Sequence, residues 1–122
     1  MDNIYRDNII DHYQNPRNLG DLADADVVVK EANASCGDML QLALKFKDGQ
    51  ISDIKFKSIG CAISTAAGSL LTERILGRKI DEIKDLAEKD MVEMLGIAIS
   101  PTRMKCALLP LKALRRALEK YE

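Results

Sequence analysis

The sequence predicts an α+β domain: a small three-stranded antiparallel sheet with helices packed on one side and a long C-terminal helix. Three observations predict it. Leu40, Leu42, Leu44 and Phe46 alternate with polar or small residues, a period of two. Asp48-Gly49 is a strong two-residue hairpin signal. Past Gly60 the apolar spacing becomes helical. Helix, then three strands, then helices is the order of a sheet covered on one face.

Each element follows from local chemistry. Tyr5, Ile9 and His12 or Tyr13 share one face of an N-terminal helix, and Asn15-Pro16 ends it because the residue before proline avoids helical geometry. Val27, Val28 and Val29 are β-branched and open the first strand. The third strand runs from about Ile51 to Ile59, with Ile54 and Phe56 inward and Lys55 and Lys57 outward. Ile63, Ala66, Ala67, Leu70 and Leu71 mark a helix over 62–76, with Gly77 at its C-terminal cap. Two short helices fit near 80–87 and 90–95, with Met91 and Met94 in the core. Ser100-Pro101 starts the last helix, where serine caps and proline tolerates the first turn. Its apolar stripe is Met104, Leu108, Leu111, Leu114, Leu118 and Tyr121. Pro110 removes the hydrogen bond to the Cys106 carbonyl, which predicts a kink or irregular turn at that cysteine.

The chain of 122 residues suits one domain over 1–122. Its 18 basic and 19 acidic side chains give a net charge of -1, with no long single-sign block, so nothing points to nucleic acid. No apolar run approaches the roughly 20 residues of a membrane span. The N-terminus has no signal-peptide core. The expectation is a cytoplasmic protein that neither enters nor crosses a membrane. Three cysteines cannot pair completely, which argues against a disulfide framework.

The cysteines sit in three unlike places. Cys36 opens Cys36-Gly37-Asp38 in the loop between the first two strands, where a thiolate and a carboxylate two residues apart can reach one metal. The same step also makes an ordinary turn. Cys61 stands where a strand hands over to a helix, whose first N–H groups lack partners and favour negative charge. A tight packing role fits there as well. Cys106 lies roughly 120° from the centre of the last helix's apolar stripe, on a flank shared with Ala113 and Ala117. Lys105 beside it favours a thiolate; an incidental boundary cysteine is the alternative. Three thiolates and one carboxylate suit one tetrahedral metal or one small iron–sulfur cluster. No Cys-x-x-Cys spacing is present, so convergence does not follow from spacing. The only histidine, His12, reads as packing or surface, not as a ligand. Lys112, Arg115 and Arg116 form a basic patch, ordinarily a solvated face but one able to meet an acidic partner.

These residues resemble the IscU/NifU-type iron–sulfur cluster assembly scaffolds. The resemblance runs nearly end to end. It is carried by Tyr5 to Gly20, with Ile-Ile-Asp-His-Tyr-Gln-Asn-Pro-Arg-Asn-Leu-Gly, then by Cys36-Gly37-Asp38, Gly60-Cys61-Ala62, the helix of Ser64, Ala67 and Ser69, and Lys105-Cys106. It implies a SufE/NifU-like fold and a scaffold, not an enzyme. Such a scaffold accepts sulfur from a cysteine desulfurase and iron from a donor, builds a [2Fe-2S] cluster and passes it to apo iron–sulfur proteins. Carried over by position, Cys36, Cys61 and Cys106 are thiolate ligands of cluster or iron. Asp38 is the fourth ligand or the group that keeps the cluster labile, and Cys106 is the persulfide acceptor. Zinc can stand in place of the cluster.

Two departures qualify the resemblance. Many IscU proteins have histidine before the third cysteine; here it is Lys105, which shifts weight to Asp38. The Leu-Pro-Pro-Val-Lys chaperone-recognition segment reads Ile99-Ser100-Pro101-Thr102-Arg103, so dependence on a dedicated Hsp70-type chaperone does not carry over. Lysine before the third cysteine is shared with SufU-type zinc-dependent sulfur acceptors, the alternative function. Those carry an insertion between the second and third cysteines, for which the short span from Cys61 to Cys106 leaves no room. That favours the scaffold.

Overall fold

The computed structural model describes residues 3–33 and 37–121. The elements are α1 (Asn3–Gln14), β1 (Val27–Asn33), β2 (Asp38–Lys47), β3 (Gln50–Ile59), α2 (Ala62–Ile75), α3 (Ile80–Ile83), α4 (Glu88–Leu95) and α5 (Pro101–Tyr121). The three strands form an antiparallel meander in the order β1-β2-β3. Helix α5 lies against β1 and β2, and α2 against β3, so both cover the same face. That face holds Val27, Val29, Leu40, Leu42, Leu44, Phe46, Ile51, Ile54 and Phe56, all buried.

The turn between β2 and β3 explains its own sequence. Asp48 and Gly49 have φ of 54° and 76°, the left-handed geometry that a two-residue hairpin needs. A register shift between Lys45 and Phe46 lets Ile51 and Ile54, three residues apart, both face the core. The far edge of β3 is not left open. Phe56 N donates to Asn18 O at 2.8 Å, and Gly20 N donates to Phe56 O at 2.9 Å. Gly77 N donates to Ile51 O at 2.9 Å, so two loops cover that edge.

Helix α2 runs through the middle of the molecule between the sheet, α1, α4 and α5. It is buried on more faces than its leucines suggest, including Ser64, Gly68, Ser69 and Thr72. A Cβ on Gly68 would stand 2.7 Å from the Phe56 ring, so the glycine is what lets helix and sheet approach. Gly77 follows the helix with φ of 83°, as its capping role requires.

Two expectations for the last helix are corrected. No irregular turn appears at Cys106: α5 is one continuous helix with Pro110 inside it. Nor is there one narrow stripe. Cys106, Leu109, Pro110, Ala113 and Ala117 are buried together with Leu111, Leu114 and Leu118. The helix packs on the sheet with one flank and on α2 and α4 with another, so both flanks are covered. Tyr121, expected on the stripe, is 45 % exposed and stacks on Phe46 at 3.9 Å between ring centroids. No helix is long and apolar enough to cross a membrane among the described residues.

Candidate metal centre

Three elements meet at one end of the sheet. Asp38 is the first residue of β2, Cys61 caps α2, and Cys106 sits in the second turn of α5. Their ligand atoms all lie within 4.8 Å of one another. Asp38 is buried, Cys61 is partly exposed and Cys106 is wholly buried. Cys36, the fourth expected ligand, lies outside the described residues.

The local backbone serves this meeting. Gly37 N donates to Asn33 O at 2.9 Å with φ of 72°, and the chain enters β2 at Asp38. The Asp38 carboxylate then reaches across to the start of α2. Its Oδ1 accepts from Cys61 N at 2.9 Å, and its Oδ2 stands 3.6 Å from the Cys61 sulfur. Gly60 makes this possible. A Cβ there would fall 1.9 Å from Asp38 Oδ1, and its φ of 145° suits glycine alone. Glycine at this position therefore makes room for the carboxylate. Ser64 donates to the Cys61 carbonyl at 3.0 Å and lies 3.9 Å from its sulfur, fixing the first turn.

The cation at the thiols is not Lys105. Lys105 lines a groove on another side of α5. Arg103, one helical turn before Cys106, faces the thiols instead. Its pKa is raised above its ordinary value by hydrogen bonding to Cys61 foremost, then by Coulombic attraction to Cys61 and Cys106. Sequence reasoning missed Arg103 as part of the site. The signal was its place three residues before Cys106, the same helix face.

His12 is not a ligand. It is buried on α1, with Nδ1 at 2.6 Å from Ser69 Oγ. Ser69 Oγ also accepts from Arg17 N at 2.8 Å. Burial, then the Arg17 charge, lower the His12 pKa below its ordinary 6.5, which keeps the ring neutral near pH 7. The polar residues of this part of α2 are thus spent on holding α1 and its following turn.

The donor set fits a thiophilic metal. Ligands around zinc with bonds of about 2.3 Å stand about 3.7 Å apart. Atoms already within 4.8 Å need only a small closure to meet that spacing. Two sulfurs and one carboxylate leave a fourth position, and Cys36 is two residues from Asp38 in the sequence. Soft thiolates hold iron and zinc firmly, and the carboxylate holds them less so.

Known proteins share this chain's pattern. A model of the NifU-like N-terminal domain matches residues 4–122. The chain is 41 % identical over 118 residues to the iron–sulfur cluster assembly scaffold protein IscU 1 of Archaeoglobus fulgidus, spanning 97 % of this chain and 76 % of that one. It is 35 % identical over 139 aligned positions to the zinc-dependent sulfurtransferase SufU of Bacillus subtilis, spanning 100 % and 94 %. A crystal structure of the SufU protein of Fervidobacterium islandicum, proposed as an iron–sulfur cluster assembly scaffold for the SUF system, superposes with a TM-score of 0.80 at 31 % identity, over 91 % and 93 % of the two chains. On residues and architecture together, the chain belongs to the NifU-like N-terminal domain family.

Proposed function

We propose that this chain is one scaffold domain for iron–sulfur cluster assembly. It accepts sulfur and iron, holds them as a [2Fe-2S] cluster on Cys36, Asp38, Cys61 and Cys106, and releases the cluster to apo-proteins. The cluster is cargo, and the chain is a carrier and sulfur acceptor, not an enzyme. What supports the reading is the convergence of the Asp38, Cys61 and Cys106 ligand atoms within 4.8 Å from three separate elements. A cysteine desulfurase is the sulfur donor in this reading, a separate donor supplies the iron, and the cytoplasm's reducing conditions keep the thiols available.

The residues divide the work. Cys106 as a thiolate takes the terminal sulfur of a donor persulfide, and the donor leaves as its own thiolate. An external electron donor supplies the two electrons per sulfur that cleave the Cys106 persulfide to sulfide and restore the Cys106 thiolate. Cys106 is wholly buried, so a neighbouring group must move aside first. Cys61, partly exposed at the mouth of the site, meets a visiting group earlier. Asp38 has a double duty: one oxygen holds the α2 backbone, and the other is the weaker ligand that lets cargo leave.

The second reading, a zinc-dependent sulfur acceptor, is favoured by the same donor set, which suits zinc. Purification under strict anaerobiosis alongside a cysteine desulfurase separates the two. Near-equal iron and acid-labile sulfide per chain are expected for the scaffold. Zinc without sulfide would replace it with the sulfur-acceptor reading. Asp38→Ala should slow cluster loss, with Asp38→Asn as the control that retains an acceptor for Cys61 N. A cluster that decays as fast as in wild type would remove Asp38 from that role.

A further inference from the structure

A second concavity lies beside the thiol site. Its volume is about 490 Å³, and it runs along α5. Leu108, Leu109 and Leu111 give it an apolar floor, and Lys105, Lys112 and Arg115 line it with positive charge. Glu88 is the one carboxylate in the lining, so the groove carries a net two positive charges. Among the described residues none of the three cations is in an ion pair. Arg115 is nonetheless held in place, with Nη2 donating to Leu86 O at 3.2 Å. Arg116, which the sequence grouped with this patch, turns away to Glu31 at 3.4 Å.

We propose that this groove docks an acidic, partly apolar segment of a partner protein that visits the thiol site. Charge complementarity names the occupant's sign, and the leucine floor names its apolar side chains. Spacing names its size. Lys105 and Arg115 are ten residues apart on one helix, roughly 15 Å along its axis. A small dicarboxylate cannot bridge that length, whereas roughly five extended residues can. Position names its purpose. Lys105 adjoins Cys106, and Asn33, which also lines the groove, is three residues before Cys36 in sequence. A segment seated here brings its own protein against the thiols. The identity of that partner, a sulfur donor or a cluster recipient, rests on the scaffold reading; the docking does not.

Exposed ion pairs contribute little each, so the binding is expected to be weak and salt-sensitive, as a passing partner requires. The test is fluorescence anisotropy on the full chain with a labelled hexapeptide alternating glutamate and leucine. Its lysine–leucine counterpart and unlabelled glutarate serve as comparisons. Saturable binding with Kd below about 1 mM is expected for the acidic peptide. It should weaken about fivefold in Lys112→Glu, and the basic peptide should not bind. Peptide-induced amide shifts should fall along α5 and at the end of β1. No saturable binding would overturn the proposal, as would equal binding by Lys112→Glu. Shifts confined to the outer sheet face around Met39 and Ile59 would do the same. Competition by glutarate as strong as by peptide would make it a small-anion site instead. Zinc binding measured on the same samples keeps the two readings apart, because Lys112→Glu leaves the thiols untouched.

Discussion

Helix α2 joins two polar clusters built from different chemistry. Midway along it, Ser69 and Thr72 tie down α1 and the following turn. Ser69 Oγ meets His12 at 2.6 Å and Arg17 N at 2.8 Å, and Asn18 donates to Thr72 Oγ1 at 3.2 Å. Donors and acceptors are matched there. At its N-terminus, by contrast, two thiols and a carboxylate crowd together with one guanidinium facing them. Those ligand atoms come from three elements and lie within 4.8 Å of one another, an arrangement that suits a metal ion. A cluster of hydroxyl, imidazole and amide groups stabilises a fold; one that gathers thiols and a carboxylate within a single ion's reach suits a metal.

The strongest way to break this comparison is through two glycines. Gly60→Ala should drive the Asp38 carboxylate off the site and lower zinc affinity about a hundredfold, as losses of supporting contacts to a metal do. Gly68→Ala should instead overpack the Phe56 contact, costing about 1–3 kcal/mol of stability with zinc affinity unchanged. Isothermal titration and thermal melts check both. Equal zinc affinity in Gly60→Ala and wild type would mean that Asp38 does not bind the metal.

Metal linkage sharpens it next. Zinc at a hundred times Kd should stabilise the wild type by about 2.7 kcal/mol. Cys61→Ser should lose that increment. Ser69→Ala should keep it while starting about 1–3 kcal/mol lower, from buried groups left unpartnered. If Ser69→Ala also lost the increment, the two clusters would not be independent.

A smaller effect is expected from pH. The folded His12 pKa lies below its ordinary 6.5, so the unfolded chain binds the proton more readily. Stability from this group is therefore full above about 6.5 and is lost as pH falls through that value towards the depressed one, by at most about 1.4 kcal/mol per pH unit. His12→Gln should flatten that slope in denaturant titrations, and an unchanged slope would assign it to other groups. The smallest effect is kinetic. Iodoacetamide should modify the partly exposed Cys61 readily. Cys61 should react faster than buried Cys106 in the metal-free protein.

Much of this was legible in the residues. The alternation from Leu40 to Phe46 and the Asp48-Gly49 turn each state a local preference, and the sheet obeys them. The ends of α1 and α5 follow Asn15-Pro16 and Ser100-Pro101 in the same way. What was not legible is what distance in sequence hides. A helical wheel assumes one buried face, and it misplaced Cys106 because α5 fills a crease with two. Lys105 adjoins Cys106 in sequence but points to the groove, whereas Arg103, a turn away, reaches the sulfurs. The room that Gly60 makes for Asp38 joins residues 22 positions apart, which no single-sequence pattern records. Cys36 was expected as a ligand from its neighbours Gly37 and Asp38, and it lies outside the described residues.

The most direct test of the contrast between the two clusters is cobalt(II) titration under anaerobic conditions, read by absorption. Thiolate-to-cobalt charge-transfer bands report sulfur ligands one by one. The account predicts a saturable band in wild type that falls in Cys36→Ser, Cys61→Ser and Cys106→Ser, and a shift of the ligand-field bands in Asp38→Ala. Ser69→Ala should match wild type. Identical spectra across all these variants would contradict the assignment of the Asp38, Cys61 and Cys106 cluster as the metal centre.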